Sequence, residues 1–141
     1  MNQIVIICNR NRRDHLRLIL QDNQEIHIIA YVSDGLEALK ICSQTGIDLV
    51  LMVLTNDFEP VNWIGVFQAK YPHIKVLIMV EAIMDDILFT ALRNGAAGYI
   101  LFTDNCAKIV DAINLCLLGF VTMEQLCMKS LIPYGTDKSH N

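Results

Sequence analysis

The chain has 141 residues and a formal net charge of -4 at neutral pH, and 53% of its residues are hydrophobic against 18% that are charged. A chain of this length can bury one good core. The acidic balance argues against direct nucleic-acid binding. No window holds the roughly eighteen uncharged apolar residues of a membrane span, so membrane association is not expected. The excess of apolar residues therefore predicts a hydrophobic core and an apolar surface that contacts a protein partner.

The amino terminus and the cysteines indicate the cellular compartment in which the chain is expected. Met1 to Ile7 has neither the basic lead nor the small-residue cleavage site of a signal peptide, so a cytoplasmic location is expected. The histidines and cysteines show no metal or redox spacing, so we predict reduced thiols, no metal site and no cofactor. The five cysteines are Cys8, Cys42, Cys106, Cys116 and Cys127.

Short apolar runs alternate with helix-like segments from the amino terminus onward. The run from Ile47 to Leu54 is too short for a membrane span and too continuous for a half-exposed strand. It predicts a strand buried on both faces in the middle of a parallel sheet. The other predicted strands are residues 4–7, 26–32, 75–80 and 98–101. Five strand-helix units with short loops predict a doubly wound α/β fold with right-handed crossovers.

Helices are predicted between these strands, and the fourth, over residues 85–94, is expected to end at Gly95. The residues expected to open the other helices are Asn11, Ser33-Asp34, Pro60, and Thr103 or Asp104. The stripes expected to be buried are Leu16, Ile19 and Leu20; Leu36, Leu39 and Cys42; and Trp63, Val66 and Phe67.

Several linked segments carry a resemblance: residues 32–39, 48–52, Tyr71-Pro72 before 76–79, and 91–101. In order and spacing they resemble the receiver domain of a two-component response regulator, most like those joined to LuxR/NarL-type DNA-binding domains. The likeness covers about residues 3 to 123. It implies a flavodoxin-like (CheY-like) sheet of order 2-1-3-4-5. We predict a receiver-like domain over 1–121, a C-terminal helix over 122–132 that acts as linker or interface, and a polar tail over 133–141.

The same resemblance places Cys8 and Asn9 where the family has its magnesium-binding acids and Val53 where it has its phosphoacceptor aspartate. Val80 stands in place of the hydroxyl residue, and Phe102 in place of the lysine. Valine has no lone pair to attack phosphorus, and a pocket of Val53, Val80 and Phe102 offers neither ligand nor counter-charge to magnesium or phosphate. The sequence therefore predicts a pseudo-receiver that binds no magnesium, is not an enzyme and works without phosphorylation. The former site is expected to be extra core that locks one state.

Other residues have two interpretations each. Tyr99 aligns with the aromatic that turns inward on activation in the family, although it can equally be structural. Cys8 is a redox sensor or a small buried thiol, and the absence of a nearby basic residue favours the thiol. Four arginines at the start of the first helix either dock an acidic partner or form a solvated face, which is the favoured interpretation. They are Arg10, Arg12, Arg13 and Arg17.

The fifth helix is more apolar than one buried stripe requires, and a capping-box pattern at Thr122 to Gln125 predicts a short helix after it. We predict a homodimer or partner interface here, against the alternative that the last helix covers the fifth. The candidate interface residues are Ile109, Leu115, Cys116, Leu118, Phe120, Leu126 and Leu131.

Three functions are considered. The first is an atypical response regulator receiver that acts in signalling or transcription regulation through protein contacts, including as the N-terminal regulatory part of a LuxR-type transcription factor. The second is a small-molecule sensor with an apolar pocket at Val53, Val80 and Phe102. The third is a catalyst on the same fold, which is disfavoured because residues 9–12 are no Gly-rich phosphate loop.

Overall fold

Five parallel strands form one sheet in the computed structural model, which describes residues 2–54, 61–82 and 85–120. The sheet order is β2-β1-β3-β4-β5, which confirms the predicted topology. The strands are β1 Gln3–Ile7, β2 His27–Val32, β3 Leu49–Leu54, β4 Lys75–Val80 and β5 Gly98–Leu101. The helices are α1 Arg10–Leu20, α2 Gly35–Gln44, α3 Val61–Lys70, α4 Asp85–Arg93 and α5 Cys106–Leu117.

Strand β3 is the centre of the sheet, between β1 and β4, and all six of its residues are buried. Because side chains alternate across a strand, each face of β3 supplies a separate core. Leu49, Leu51 and Val53 pack with buried residues of α1 and α5. Val50 and Leu54 pack on the other face, in the core that includes buried residues of α2, α3 and α4. The predicted burial of this strand on both faces is confirmed.

Asp48, just before β3, ties three strands together at the amino end of the sheet. Its carboxylate accepts a hydrogen bond from the backbone N–H of Gln3 at 2.7 Å. Its own N–H donates to the Gln3 carbonyl at 2.8 Å, and its carbonyl accepts from the Lys75 N–H at 3.1 Å. These bonds fix β1 and β4 against the start of β3.

Two helix caps differ from prediction. Asn9, not Asn11, caps α1, and its side chain accepts from the Arg12 N–H at 2.8 Å. Asn105, rather than Thr103 or Asp104, caps α5. Asn9 follows β1 after a single residue, so α1 starts as soon as the chain leaves the sheet. Gly95, with φ +111°, follows α4 as predicted, in a backbone conformation that favours glycine.

Two predicted core residues are on the surface. The side chain of Leu36 is 68% exposed and that of Val66 is 41% exposed. Cys42 is buried as predicted, and the other buried residues of α2 are Gly35 and Ala38. A Cβ on Gly35 would come within 2.2 Å of the Trp63 ring, so the first turn of α2 lies directly against the side chain of Trp63 in α3. This close approach directs Leu36 away from the core.

Candidate functional site

The carboxyl edge of the sheet is where an α/β fold of this type gathers its ligands. Hydrogen bonds place the predicted site residues along this edge. The Cys8 N–H donates to the Val32 carbonyl at 2.9 Å, and the Phe102 N–H donates to the Val80 carbonyl at 2.7 Å. Val53 is the penultimate residue of β3, and its neighbour Leu54 is in register with Val80.

Burial divides these residues between the two faces of the sheet. Val53 is 1% exposed and belongs with Cys8 to the core under α1 and α5, against which Phe102 is partly packed. Val80 is 5% exposed and packs in the core on the opposite face. Asn9 is exposed and serves as the cap of α1. The described side chains therefore fill the Val53 position with apolar groups, and this packing counts against a small-molecule pocket formed by Val53 and Val80.

Above this apolar floor, Arg12 of α1 reaches across to the ends of β4 and β5. Its guanidinium carbon lies 3.8 Å from the centroid of the Phe102 ring. The same guanidinium forms an ion pair with Glu81, the residue that follows β4. We call Arg12, Phe102 and Glu81 the Arg12 clamp. It joins α1 to the ends of β4 and β5, and it pairs the positive charge of Arg12 with a carboxylate of the same chain.

His15, one turn further along α1, adds to the same contact. Its ring centroid lies 5.2 Å from that of Phe102, and the two planes are inclined by 55°. Its Nε2 lies 2.9 Å from a carboxylate oxygen of Asp104. Asp104 is largely exposed, so this second link is expected to contribute little to stability.

Sequence reasoning missed Arg12, His15 and Glu81 as site residues. The sequence favours a solvated helix face for Arg12, yet its side chain is only 24% exposed and has two partners. One feature of the sequence could have pointed to these three residues. Glu81 directly follows a buried strand, and Arg12 and His15 share one face of the first helix by their spacing of three.

The Cys8 thiol has basic neighbours, which corrects a sequence argument. Arg13 and Arg17 both act to lower its pKa, but burial outweighs them and raises the pKa to about 11. The thiol is therefore protonated at neutral pH, which disfavours a redox sensor. Among the described cysteines, Cys8, Cys42, Cys106 and Cys116 are all free thiols.

Across residues 2–54, 61–82 and 85–120, no group of three or more His, Cys, Asp or Glu side chains is placed to hold a metal ion. None of the helices in this same part of the chain is long and apolar enough to cross a bilayer.

Helix α5 divides the predicted interface residues into two groups. Ile109 and Cys116 are fully buried in the core beneath α5, so they do not form part of an exposed surface, contrary to prediction. Leu115, Leu118 and Phe120 are 45%, 74% and 62% exposed. These three residues we call the α5 face. The predicted C-terminal helix and tail, with Leu126 and Leu131, lie outside the described residues.

Comparison with known proteins agrees with this fold. The response regulator protein VraR of Staphylococcus aureus is 30% identical over 95 residues, which are 67% of this chain and 46% of VraR. The transcriptional regulatory protein LiaR of Bacillus subtilis is 26% identical over 110 residues, 77% of this chain and 52% of LiaR. Solved LuxR-family and NarL regulators match in structure as well. The chain is related to the receiver domains of LuxR/NarL-type response regulators.

The isolated receiver (REC) domain of RcsB from Salmonella enterica serovar Typhimurium, in its apo form, superimposes on the chain with a TM-score of 0.79. The match covers 93% of this chain and 98% of that domain at 11% identity, so it supports the receiver fold alone. No protein-family model matches the chain. The chain spans about half the length of the curated response regulators it matches.

Proposed function

We propose that this chain is a pseudo-receiver, which acts in signal transduction or transcription regulation through protein contacts and independently of phosphorylation. The observation that carries the proposal is Val53, 1% exposed, at the end of β3, where the resemblance implies the phosphoacceptor aspartate. A buried valine offers no nucleophile, and the neighbouring Cys8 thiol is neutral at physiological pH.

The Arg12 clamp supports the same proposal. Phosphoryl transfer needs positive groups that are free to receive the developing charge. Here Phe102 stands where the resemblance implies a lysine, and the one guanidinium that reaches it is already paired with Glu81. Tyr99 is fully buried, in the inward position that the resemblance associates with the activated state. We therefore propose that the domain is held in one state by its packing.

The direct test is incubation with acetyl phosphate and magnesium, followed by intact-mass spectrometry. We expect no phosphoryl adduct on this chain. The isolated RcsB receiver domain is treated in parallel as the comparison. An adduct on this chain would contradict the proposal. Asp57 and Glu59 are the acids nearest in sequence after Val53, so the variants Asp57→Asn and Glu59→Gln would show whether either carries the adduct.

The proposed output is a protein contact made by the α5 face. Leu115, Leu118 and Phe120 together expose apolar area at one end of α5, where sequence predicts more apolar residues beyond the described part. Exposed apolar groups that lie close together are typical of interaction surfaces. Since the matched relatives are about twice as long, a DNA-binding output domain in the same protein is the alternative partner.

A further inference from the structure

A groove of about 470 Å³ lies along α2, on the side that faces the end of α3. Three apolar side chains belong to its lining: Leu36 and Leu39 of α2, and Tyr71, which directly follows α3. Leu39 and Tyr71 are partly buried and pack against the core beneath them. Leu36 is 68% exposed. The groove therefore presents an apolar floor and an exposed leucine, which are typical of a surface that contacts another molecule.

The outward direction of Leu36 is imposed by its neighbour. Gly35 is buried, and its first helical turn lies so close to the Trp63 ring that a Cβ would come within 2.2 Å of it. The start of α2 therefore cannot turn Leu36 toward the core unless Trp63 moves. Because the chain itself leaves this side chain exposed, Leu36 gains free energy of burial when another molecule covers it.

Charged residues divide the groove along its length. Asp34 and Glu37 line it at the start of α2, whereas Lys40 lies further along α2 and Lys70 is the last residue of α3. Both helices follow parallel strands, so both run from the carboxyl edge of the sheet toward its amino edge. The groove is therefore acidic at the carboxyl edge and basic toward the amino edge.

These four charged side chains can act on a ligand. None of the ion pairs found within residues 2–54, 61–82 and 85–120 involves them. The Asp34 carboxylate accepts a hydrogen bond from the Glu37 N–H at 2.8 Å, which caps α2 and holds the acidic end in place. A carboxylate has several acceptor sites, so Asp34 can receive a cation while it caps the helix.

The shape of the groove and its charges together favour an amphipathic helix as the occupant. The groove is open to solvent, since Leu36, Lys40 and Lys70 are exposed, so a bound molecule keeps one face in water. An amphipathic helix meets this condition, because its apolar stripe enters the groove while its polar face stays hydrated. From Asp34 to Ser43 the groove follows about 13 Å of helix axis, or about two and a half turns.

We propose that this groove binds an amphipathic helix of another protein, antiparallel to α2, with acidic residues in the first turn of that helix and basic residues in its last turn. The acidic turn then lies beside Lys40 and Lys70, and the basic turn lies beside Asp34 and Glu37. The same charge pattern suits the dipole of the bound helix. The groove shares no residue with the α5 face or with the Val53 packing, so this proposal goes beyond the proposed function and the two can fail separately.

The test uses the full chain and a synthetic helix of about 14 residues, stapled on its polar face because an isolated helix of this length is marginal in water. The peptide carries glutamates in its first turn, leucines spaced to form one stripe, and lysines in its last turn. Binding is followed by the ¹H–¹⁵N signals of the chain. We expect a saturable shift that is largest for amides of α2 and for Lys70 and Tyr71. No saturable shift up to about 1 mM peptide would overturn the proposal.

A spin label on the first residue of the peptide tests the orientation. We expect the label to broaden the amide signals of Lys70 and Tyr71 more than those of Asp34 and Leu36. The opposite pattern would show parallel docking and would contradict the charge argument. Concentration-dependent shifts of the same signals in the chain without peptide would show that a second copy fills the groove, which would overturn the choice of another protein.

A matched pair of leucines tests the apolar contact. Leu36→Gln is expected to weaken peptide binding about tenfold or more, because the exposed leucine of the groove is lost. Leu18→Gln is the control, since Leu18 lies on α1, outside the groove, and is 67% exposed. It should leave the affinity unchanged. Equal losses in the two variants would mean that the peptide does not bind in the groove.

A matched pair of double variants tests the charges. Lys40→Glu combined with Lys70→Glu is expected to weaken binding about tenfold or more, because like charges then face the acidic turn of the peptide. Arg93→Glu combined with Lys108→Glu makes the same change in net charge at exposed positions of α4 and α5, and it should leave the affinity nearly unchanged. Equal weakening by both pairs would show that only net charge matters and would contradict the proposal.

Discussion

The guanidinium of Arg12 and the ring of Phe102 are stacked at 3.8 Å, although 90 positions of sequence separate the two residues. The resemblance implies a lysine at position 102, which would itself bring the positive charge. In this chain position 102 is an aromatic residue, and the cation beside it belongs to Arg12 of α1. The charge of Arg12 is paired with Glu81, which supports the proposal that this edge of the sheet does not receive a phosphoryl group.

The Arg12 clamp predicts a measurable coupling between its members. In a double-mutant cycle of Arg12→Gln and Phe102→Leu, the coupling free energy should be about 0.5–1 kcal/mol, the range for partly exposed cation–π pairs. Urea unfolding measures each variant. Phe102→Lys should be less stable than Phe102→Leu, because it places a second cation beside Arg12. A Phe102→Lys variant as stable as the parent chain would contradict this account of the clamp.

Restoring an aspartate at position 53 should cost stability. Val53→Asp buries a carboxylate in an apolar core, at an expected cost of several kcal/mol. The cost should grow as the pH rises, because burial raises the pKa of the new carboxyl and the folded chain holds its proton longer than the unfolded chain. The matched control is Val66→Asp on the exposed side of α3, which should change the unfolding free energy by less than about 1 kcal/mol. Magnesium-dependent stabilisation of Val53→Asp would instead indicate a functional remnant of the site.

Two glycines form a matched pair for the contact between α2 and α3. A Cβ on Gly35 would lie 2.2 Å from the Trp63 ring, so Gly35→Ala should destabilise the chain by about 1–3 kcal/mol through overpacking. Gly65 in α3 has nothing within 4 Å of the position of a Cβ, so Gly65→Ala should stabilise the chain by about 0.5–1 kcal/mol. Thermal and urea unfolding should show opposite signs for the two variants.

Three buried thiols predict loss of stability at alkaline pH. Burial raises the pKa of Cys8, Cys42 and Cys116 from 9.0 to about 11. Between these values the unfolded chain loses protons that the folded chain keeps, so the unfolding free energy should be greatest below pH 9 and fall as the pH rises toward 11. The expected loss is on the order of 2–3 kcal/mol per thiol. Cys42→Ala should make the decline shallower, and an unchanged slope would show that this thiol titrates alike in both states.

The α5 face predicts how the oligomeric state responds to substitution. If this face joins two copies of the chain, light scattering across a wide concentration range should give a dimer that the double variant Leu115→Gln and Leu118→Gln converts to a monomer. Leu36→Gln, on α2 and 68% exposed, is the control and should leave the mass unchanged. A monomer at every concentration would contradict the homodimer and favour a different protein partner.

The sequence predicted the sheet well because its strands are continuous apolar runs. The predicted bounds of the fourth and fifth strands agree with β4 and β5 at both ends. Helix starts were less predictable. Asn9 and Asn11 are equally good caps by residue type, and the choice between them depends on how soon α1 packs on the sheet. The direction of Leu36 was missed because it depends on the contact between Gly35 and the distant Trp63.

The site was only partly predictable for a similar reason. The resemblance located Val53 and Phe102 from local motifs, and the structure places both at the carboxyl edge. The Arg12 clamp joins Arg12 to a carboxylate 69 positions away, and no local pattern specifies such a pair.

The hydrogen bonds of Asp48 have a wider consequence. They align β1, β3 and β4 at the amino edge of the sheet, at the end opposite Val53. The alignment of these three strands therefore has a support that is separate from the side chains of the carboxyl edge. A chain built in this way can exchange its reactive residues one after another and still fold. Such a chain can lose one chemistry and gain another function without first losing its structure.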